Sequence, residues 1–222
     1  KTVIIIPSRL EATRLPNKPI ELINNKEMIL HVYEAAKKAN TGEVYVATPD
    51  QKIINLMKNN GGKAVLTSLD HQTGTDRIYE VFKNQLDGIP NIVVNLQGDM
   101  PNINPETIPN LVKYMYKGKC DIGTLASSFS SEKEFINENN VKVAVNEKLN
   151  DNQFGKAIDF FRKDEKKYQY FYHHVGIYAF TNKALVRYVS LERSKLELER
   201  KLEQLRALEN DMSIHVGHIN SS

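Results

Sequence analysis

Residues able to handle a phosphorylated ligand fall in three polar segments, each placed directly after an apolar or β-branched run. The first is Pro7-Ser8-Arg9-Leu10-Glu11-Ala12-Thr13-Arg14-Leu15-Pro16-Asn17-Lys18-Pro19, which puts three cations, Arg9, Arg14 and Lys18, on one loop. Arginine pairs bidentately with phosphate oxygens, so such a loop suits a triphosphate. Lys18 adds a point charge that can stabilise negative charge building on an α-phosphate and a leaving pyrophosphate. The glycines of a Walker loop or a GxGxxG turn are missing, so the segment is neither. A basic surface loop is the plainer alternative. The second segment is Gln97-Gly98-Asp99-Met100-Pro101. An aspartate at a strand end can hold Mg²⁺, which keeps several waters and bridges to phosphates; it can equally cap a turn. Gly98 permits close backbone approach to a ligand. The third, His71-Gln72-Thr73-Gly74-Thr75-Asp76-Arg77, offers hydroxyls, an amide and a glycine just before a helix, which Thr75 or Asp76 could simply cap.

The elements that must position these segments alternate along the chain. Val3 to Ile6, Val44 to Ala47, Ala64 to Leu66 and Ile92 to Leu96 read as short buried strands. Helical patterns at 26–39, 53–57 and 75–86 lie between them. The alternation predicts an α/β fold with a mostly parallel twisted sheet flanked by helices, whose ligands bind beyond the carboxyl ends of strands. The second half is different: Asp121 to Ser127, Val141 to Val145 and Gly176 to Phe180 read as strands, with a hairpin or flap between Asp159 and Tyr172. Residues 194–209 are predicted as one helix, opened by a Ser194/Glu197 capping box and carrying Leu198, Leu202 and Leu205 on one face. Glu203 and Gln204 point away from that stripe, as a solvated face would. The pattern spans only about two heptads, short for a coiled coil.

The chain has 222 residues, enough for one domain with a sizeable core. We expect a single domain over 1–222, whose character changes after residue 118. Charged residues make up 26% and the net charge is +3, too mild to imply nucleic acid on bulk charge. The single cysteine, Cys120, excludes an internal disulfide and fits a reducing compartment. The longest apolar run, Val3 to Ile6, is far short of the ~20 residues of a membrane span. Cytoplasm is the expected location, with no membrane or nucleic-acid partner.

Taken in order, these blocks resemble the KDO cytidylyltransferases (CMP-KDO synthetases), within the sugar nucleotidyltransferases. The resemblance is carried by Ile4-Ile5-Ile6-Pro7-Ser8-Arg9 through Lys18-Pro19 and by Asp70 to Arg77, with Asp76 where the family usually has Glu. It continues through Val94-Asn95-Leu96-Gln97-Gly98-Asp99, Asn140-Val141-Lys142-Val143, His174-Val175-Gly176-Ile177-Tyr178 and Leu202-Glu203-Gln204-Leu205-Arg206. It runs from Val3 to about Val216. It implies a Rossmann-like nucleotidyltransferase fold and transfer of CMP from CTP to 3-deoxy-D-manno-octulosonate (KDO), giving CMP-KDO and pyrophosphate for lipopolysaccharide synthesis in a Gram-negative bacterium.

Carried over by position, Ser8, Arg9, Arg14, Lys18, His71, Gln72, Thr73, Gly74 and Arg77 would bind the nucleotide. Arg14, Lys18 and Asp99 would be catalytic, with Asp99 on Mg²⁺. Gln97, Arg162, His174, Tyr178, Glu203 and Gln204 would meet the sugar. No side chain reads as a dedicated general base. The resemblance also implies a homodimer, with a nucleotide-binding part at 1–118 and a sugar-binding and dimerisation part at 119–222. Met100 stands where the family usually has Glu and is left without a role, and the stretch from Arg162 to Tyr168 is shorter than the family's. The family's second metal-binding aspartate, in a Gly-Val-Asp-Thr segment, has no counterpart before Ser222, and truncation is the expectation rather than loss. The alternatives are a nucleotidyltransferase for sialic acid, a hexose 1-phosphate or an isoprenoid precursor, a non-catalytic nucleotide- or sugar-binding regulator, and a docking protein built on the 194–209 helix.

Overall fold

The computed structural model describes residues 1–11, 16–163 and 167–220. Arg14 lies outside them. In chain order the elements are β1 (Thr2–Pro7), a 3₁₀ turn (Lys18–Ile20), a small hairpin of β2 (Leu22–Ile23) and β3 (Lys26–Glu27), α1 (Met28–Lys38), β4 (Glu43–Thr48) and α2 (Gln51–Asn59). Then come β5 (Ala64–Leu66), α3 (Gly74–Glu80) running into a π-type turn (Val81–Gln85), β6 (Ile92–Leu96), α4 (Thr107–Met115), β7 (Ile122–Ser127) and α5 (Glu132–Ile136). The chain continues as β8 (Lys142–Val145), β9 (Phe154–Phe161), β10 (Tyr170–Thr181), α6 (Asn182–Ser190), α7 (Lys195–Arg200), α8 (Leu205–Leu208) and β11 (Ile214–His218).

Nine strands form one sheet in the order β5-β4-β1-β6-β10-β7-β11-β9-β8, and β8 also pairs with β10. The first half is parallel as expected: β5, β4, β1 and β6 all run the same way. Of the pairings added by the second half, only β11 with β7 is parallel; β10 with β6, β7 and β8, and β9 with β8 and β11, are antiparallel. Of the expected hairpin or flap between Asp159 and Tyr172, the described flanks β9 and β10 do not pair with each other; both pair with β8, which lies between them.

Strand β1 shows why its run is apolar at every position. Val3 and Ile5 face one core and Ile4 and Ile6 the other, all at most 1% exposed. Helices α1, α2 and α4 cover the second face; α3, α6 and α8 cover the first. A sheet covered on both sides has no polar face to alternate with, so its inner strands read as continuous hydrophobic runs. Cys120 belongs to this core, and burial raises its thiol pKa to about 11, which leaves it a small apolar residue.

The single helix expected over 194–209 is two short ones. Lys201 takes a left-handed conformation (φ 56°) and ends α7, and the chain turns before α8. The capping box is present in that Glu197 accepts from the Ser194 amide at 2.9 Å. The expected leucine stripe is dispersed: Leu198 is 52% exposed, while Leu202 and Leu205 are buried. The break follows from a buried charge pair. Arg206 (2% exposed) donates to both carboxylate oxygens of Glu197 (0% exposed) at 2.9 and 2.8 Å and stacks on Tyr188 at 4.4 Å. A straight helix would hold residues 197 and 206 nine positions apart along one rod; folding at Lys201 lets them meet.

Removing one partner of a desolvated pair strands the other. We expect Arg206→Met to lower unfolding free energy by about 3–5 kcal/mol in urea melts, and the double variant with Glu197→Leu to recover part of it. A loss below about 1 kcal/mol would mean that water already screens the pair.

Candidate active site

The carboxyl ends of β1 and β6 open into a cavity of about 1070 Å³. Its wall is formed where β10 passes from one neighbour to another. Residues 177–181 pair with β6 and residues 170–173 with β8. The intervening His174, Val175 and Gly176 line the cavity. Against β7 the same region carries a bulge, since Val175 is opposite Leu125 and Tyr178 opposite Thr124. A smaller pocket of about 230 Å³, bounded by Ser8, Arg9, His71, Gln72, Thr73, Gly74, Arg77 and Gln97, shares Arg9, Gln72, Thr73, Gly74 and Gln97 with the large one.

The basic loop leaves β1 with Ser8 donating its amide to Ala47 at 2.9 Å and Leu10 donating to the Asp50 carboxylate at 2.8 Å. Ser8 is 6% exposed and its hydroxyl has no partner among the described residues, a buried polar group that requires one. Arg9 is exposed at the junction of both pockets. Asn17, left-handed at φ 64°, turns the chain back so that Lys18 Nζ lies 3.9 Å from the Asp99 carboxylate. Gly98 sits under this arrangement: a Cβ there would come within 3.1 Å of the Pro7 carbonyl. Asp99 is exposed, and among the described residues no three His, Cys, Asp or Glu side chains cluster as a metal cage. A lone carboxylate fits Mg²⁺, a hard ion that takes one or two carboxylates and completes its shell with water and phosphate oxygens.

In the segment expected to bind the nucleotide, Thr73, rather than Thr75 or Asp76, caps α3, accepting the Asp76 amide at 3.1 Å. His71 meets Glu80 at 2.9 Å. Arg77 is 3% exposed and donates to the Thr67 hydroxyl at 2.6 Å and the Ser68 carbonyl at 2.7 Å, so it braces the pocket floor.

All six residues expected at the sugar, Gln97, Arg162, His174, Tyr178, Glu203 and Gln204, line the large cavity. Arg162 spends N–H groups on the carbonyls of Arg200, Glu138 and Lys201 at 3.2–3.3 Å, tying the end of α7 to the cavity rim. Glu203 and Gln204, expected on a solvated face, turn inward because the chain breaks at Lys201. Burial raises the Glu203 pKa, opposed by hydrogen bonds from Thr75 and Thr73. His174 Nε2 lies 2.8 Å from the Thr124 hydroxyl, whose one proton goes to the Ile177 carbonyl at 2.6 Å. The hydroxyl therefore accepts from Nε2–H, which fixes the tautomer and leaves Nδ1 an acceptor. Burial pushes the His174 pKa down to about 3, with help from His173, so the ring stays neutral.

Arg193 and Lys201 also line the cavity and were not singled out from sequence; nothing but their charge marks them. Thr75, Asn95 and Thr124, all 0–1% exposed, had a clearer signal, since Asn95 and Thr124 interrupt runs of strand-forming apolar residues. Met100 lines the cavity near Gly176.

The chain matches a family model described as cytidylyltransferase over residues 3–214. A 3-deoxy-manno-octulosonate cytidylyltransferase of Rhodopseudomonas palustris is 42% identical over 227 residues, covering 100% of this chain and 90% of the relative. The protein of that name from Brucella ovis is 42% identical over 97% of this chain and 86% of its own length. A solved CMP:2-keto-3-deoxy-manno-octonic acid synthetase complexed with CTP superposes with a TM-score of 0.86 at 36% identity, covering 100% of this chain and 90% of that one. A 4-diphosphocytidyl-2C-methyl-D-erythritol synthase from Anaerococcus prevotii, 13% identical, shares the fold at a TM-score of 0.61. With the full-length matches and the ordered blocks agreeing, this chain belongs to the 3-deoxy-manno-octulosonate cytidylyltransferases of the cytidylyltransferase family.

Proposed function

We propose that the protein transfers CMP from CTP to KDO, releasing pyrophosphate. One observation carries the reading: the expected sugar residues share a single cavity with Arg9, Gln72, Thr73, Gly74 and Asp99 of the nucleotide side. A reaction that joins two substrates needs such a shared space, and holding them together replaces a bimolecular encounter.

The anomeric hydroxyl of the sugar gives up its proton to solvent as its oxygen attacks the α-phosphorus in line and the bond to the β-phosphate breaks. Arg9, Lys18 and the sequence-assigned Arg14 hold the triphosphate, and Lys18 and Arg14 stabilise the charge of the departing pyrophosphate. Asp99 holds Mg²⁺, which when bound neutralises phosphate charge. The unpaired Ser8 hydroxyl and the segment from His71 to Gly74 bind the nucleotide, with Arg77 supporting them from below. In the sugar half, Gln97, Tyr178, Glu203 and Gln204 bond hydroxyls, neutral His174 accepts through Nδ1, and Arg162 answers the sugar carboxylate. Arg193 and Lys201 add positive charge at the mouth. With this reading come a homodimer, a cytoplasmic location and supply of CMP-KDO to lipopolysaccharide synthesis.

Replacing Lys18 by Ala should lower kcat by about 10²–10³-fold with an unchanged circular-dichroism melt; near-normal turnover would remove Lys18 from the chemistry. Gln204→Ala should raise KM for KDO by about tenfold and leave KM for CTP within a factor of two. Equal rises would place Gln204 outside the sugar pocket. Because His174 is neutral down to about pH 3, kcat/KM for KDO should show no inflection near 6.5 from this ring. An inflection there that vanishes in His174→Gln would mean that the ring titrates in the pocket.

A further inference from the structure

Asn95 sits in β6 between Val94 and Leu96 and is 0% exposed; Thr75, on the first turn of α3, is 1% exposed. Neither forms part of the mechanism above, and a buried amide or hydroxyl is unfavourable unless bonded. Their bonds form one connected line. Gln97 Nε2 donates to Asn95 Oδ1 at 3.3 Å, Asn95 Nδ2 donates to Thr75 Oγ1 at 3.1 Å, and Thr75 Oγ1 donates to Glu203 Oε1 at 3.0 Å. The Thr75 amide also points to Glu203 Oε2 at 3.4 Å.

With Glu203 ionised, one order of donors and acceptors satisfies this line. An ionised carboxylate accepts and cannot donate, so the single Thr75 proton goes to Glu203. The Thr75 oxygen must then accept from the Asn95 NH₂. That turns Asn95 Oδ1 toward Gln97, which has to present its NH₂. The Gln97 carbonyl and its second N–H remain for a ligand in the cavity. The line begins and ends on residues that line the large cavity, and it passes beneath Gly74, which lines both pockets.

We propose that Thr75 and Asn95 are positioning residues: they set which way the Gln97 amide faces, hold the Glu203 carboxylate, and so tie sugar recognition to the nucleotide-binding segment. The proposal rests on the assignment of Gln97 and Glu203 to the sugar. Hydrogen-bonded lines of this kind strengthen together and lose more than one bond's worth when a middle member is removed.

The test is steady-state kinetics of the purified full chain with CTP and KDO varied separately, for Thr75→Val and Thr75→Ser. The isosteric Val should raise KM for KDO by about tenfold and KM for CTP by less than about twofold, and Ser, which keeps the hydroxyl, should restore the KDO value. Equal rises for both substrates, an unchanged KDO value, or failure of Ser to restore it would overturn the proposal. Urea melts of Thr75→Val, Glu203→Gln and the double variant judge the bond without any substrate: non-additive midpoints uphold it and additive ones overturn it. Absence of pyrophosphate release by the wild-type chain with CTP and KDO would instead overturn the functional assignment, a separate result from a wild-type rate that Thr75→Val leaves untouched.

Discussion

Everything at the site depends on how β10 divides its hydrogen bonds. One side of the strand is bonded to β7, while its other side is shared between β6 and β8. One edge of a strand cannot serve two partners at the same residues, so on that edge the ladders part between residue 173, the last paired with β8, and residue 177, the first paired with β6. His174, Val175 and Gly176, which lie between them, line the cavity. Its position follows from register: Ile177 lies opposite Leu96, so the residues following β6, Gln97 to Asp99, emerge beside His174. The first half supplies a parallel sheet with its usual ligand-binding end, and the second half completes the cavity there with antiparallel strands.

Polar groups inside the core serve the same end. Thr124 answers the bulge carbonyl of Ile177 and fixes the His174 ring, while Arg206 and Glu197 neutralise each other so that the chain can turn at Lys201. Tyr188 stacks on Arg206 and donates its hydroxyl to the Glu203 carbonyl at 2.8 Å. Glu203 and Gln204 therefore face the cavity because of charges buried behind them, and the geometry of that wall is held from within the fold.

Much of the first half was legible from sequence because its signals are local. β1, β4, β5 and β6 are short, mostly apolar runs, and the loops after β1 and β6 carry residues expected to meet the ligand where an open sheet places one. The second half was less legible because its decisive constraints join distant residues. Nothing near Lys201 announces a left-handed residue, and the periodicity of Leu198, Leu202 and Leu205 fits a straight helix as well as a broken one. The partner that breaks it, Glu197 with Arg206, reads as an ordinary surface pair until both prove buried. Likewise the polar stretch before Tyr170 gives no hint that β8 lies between β9 and β10. The residues expected at the sugar were assigned by ordered resemblance, since their spacing, from Gln97 to Gln204, carries no local period; the fold brings them to one cavity.

The second-half strands also close on themselves. β10, β7, β11, β9 and β8 are each bonded to the next, and β8 returns to β10. A ring has no terminus at which another strand could be added. The sheet is left with β5 as its open margin, and β5 is three residues long. So short a ladder offers a stray extended segment few backbone bonds, which protects the folded chain against templated self-association through its sheet.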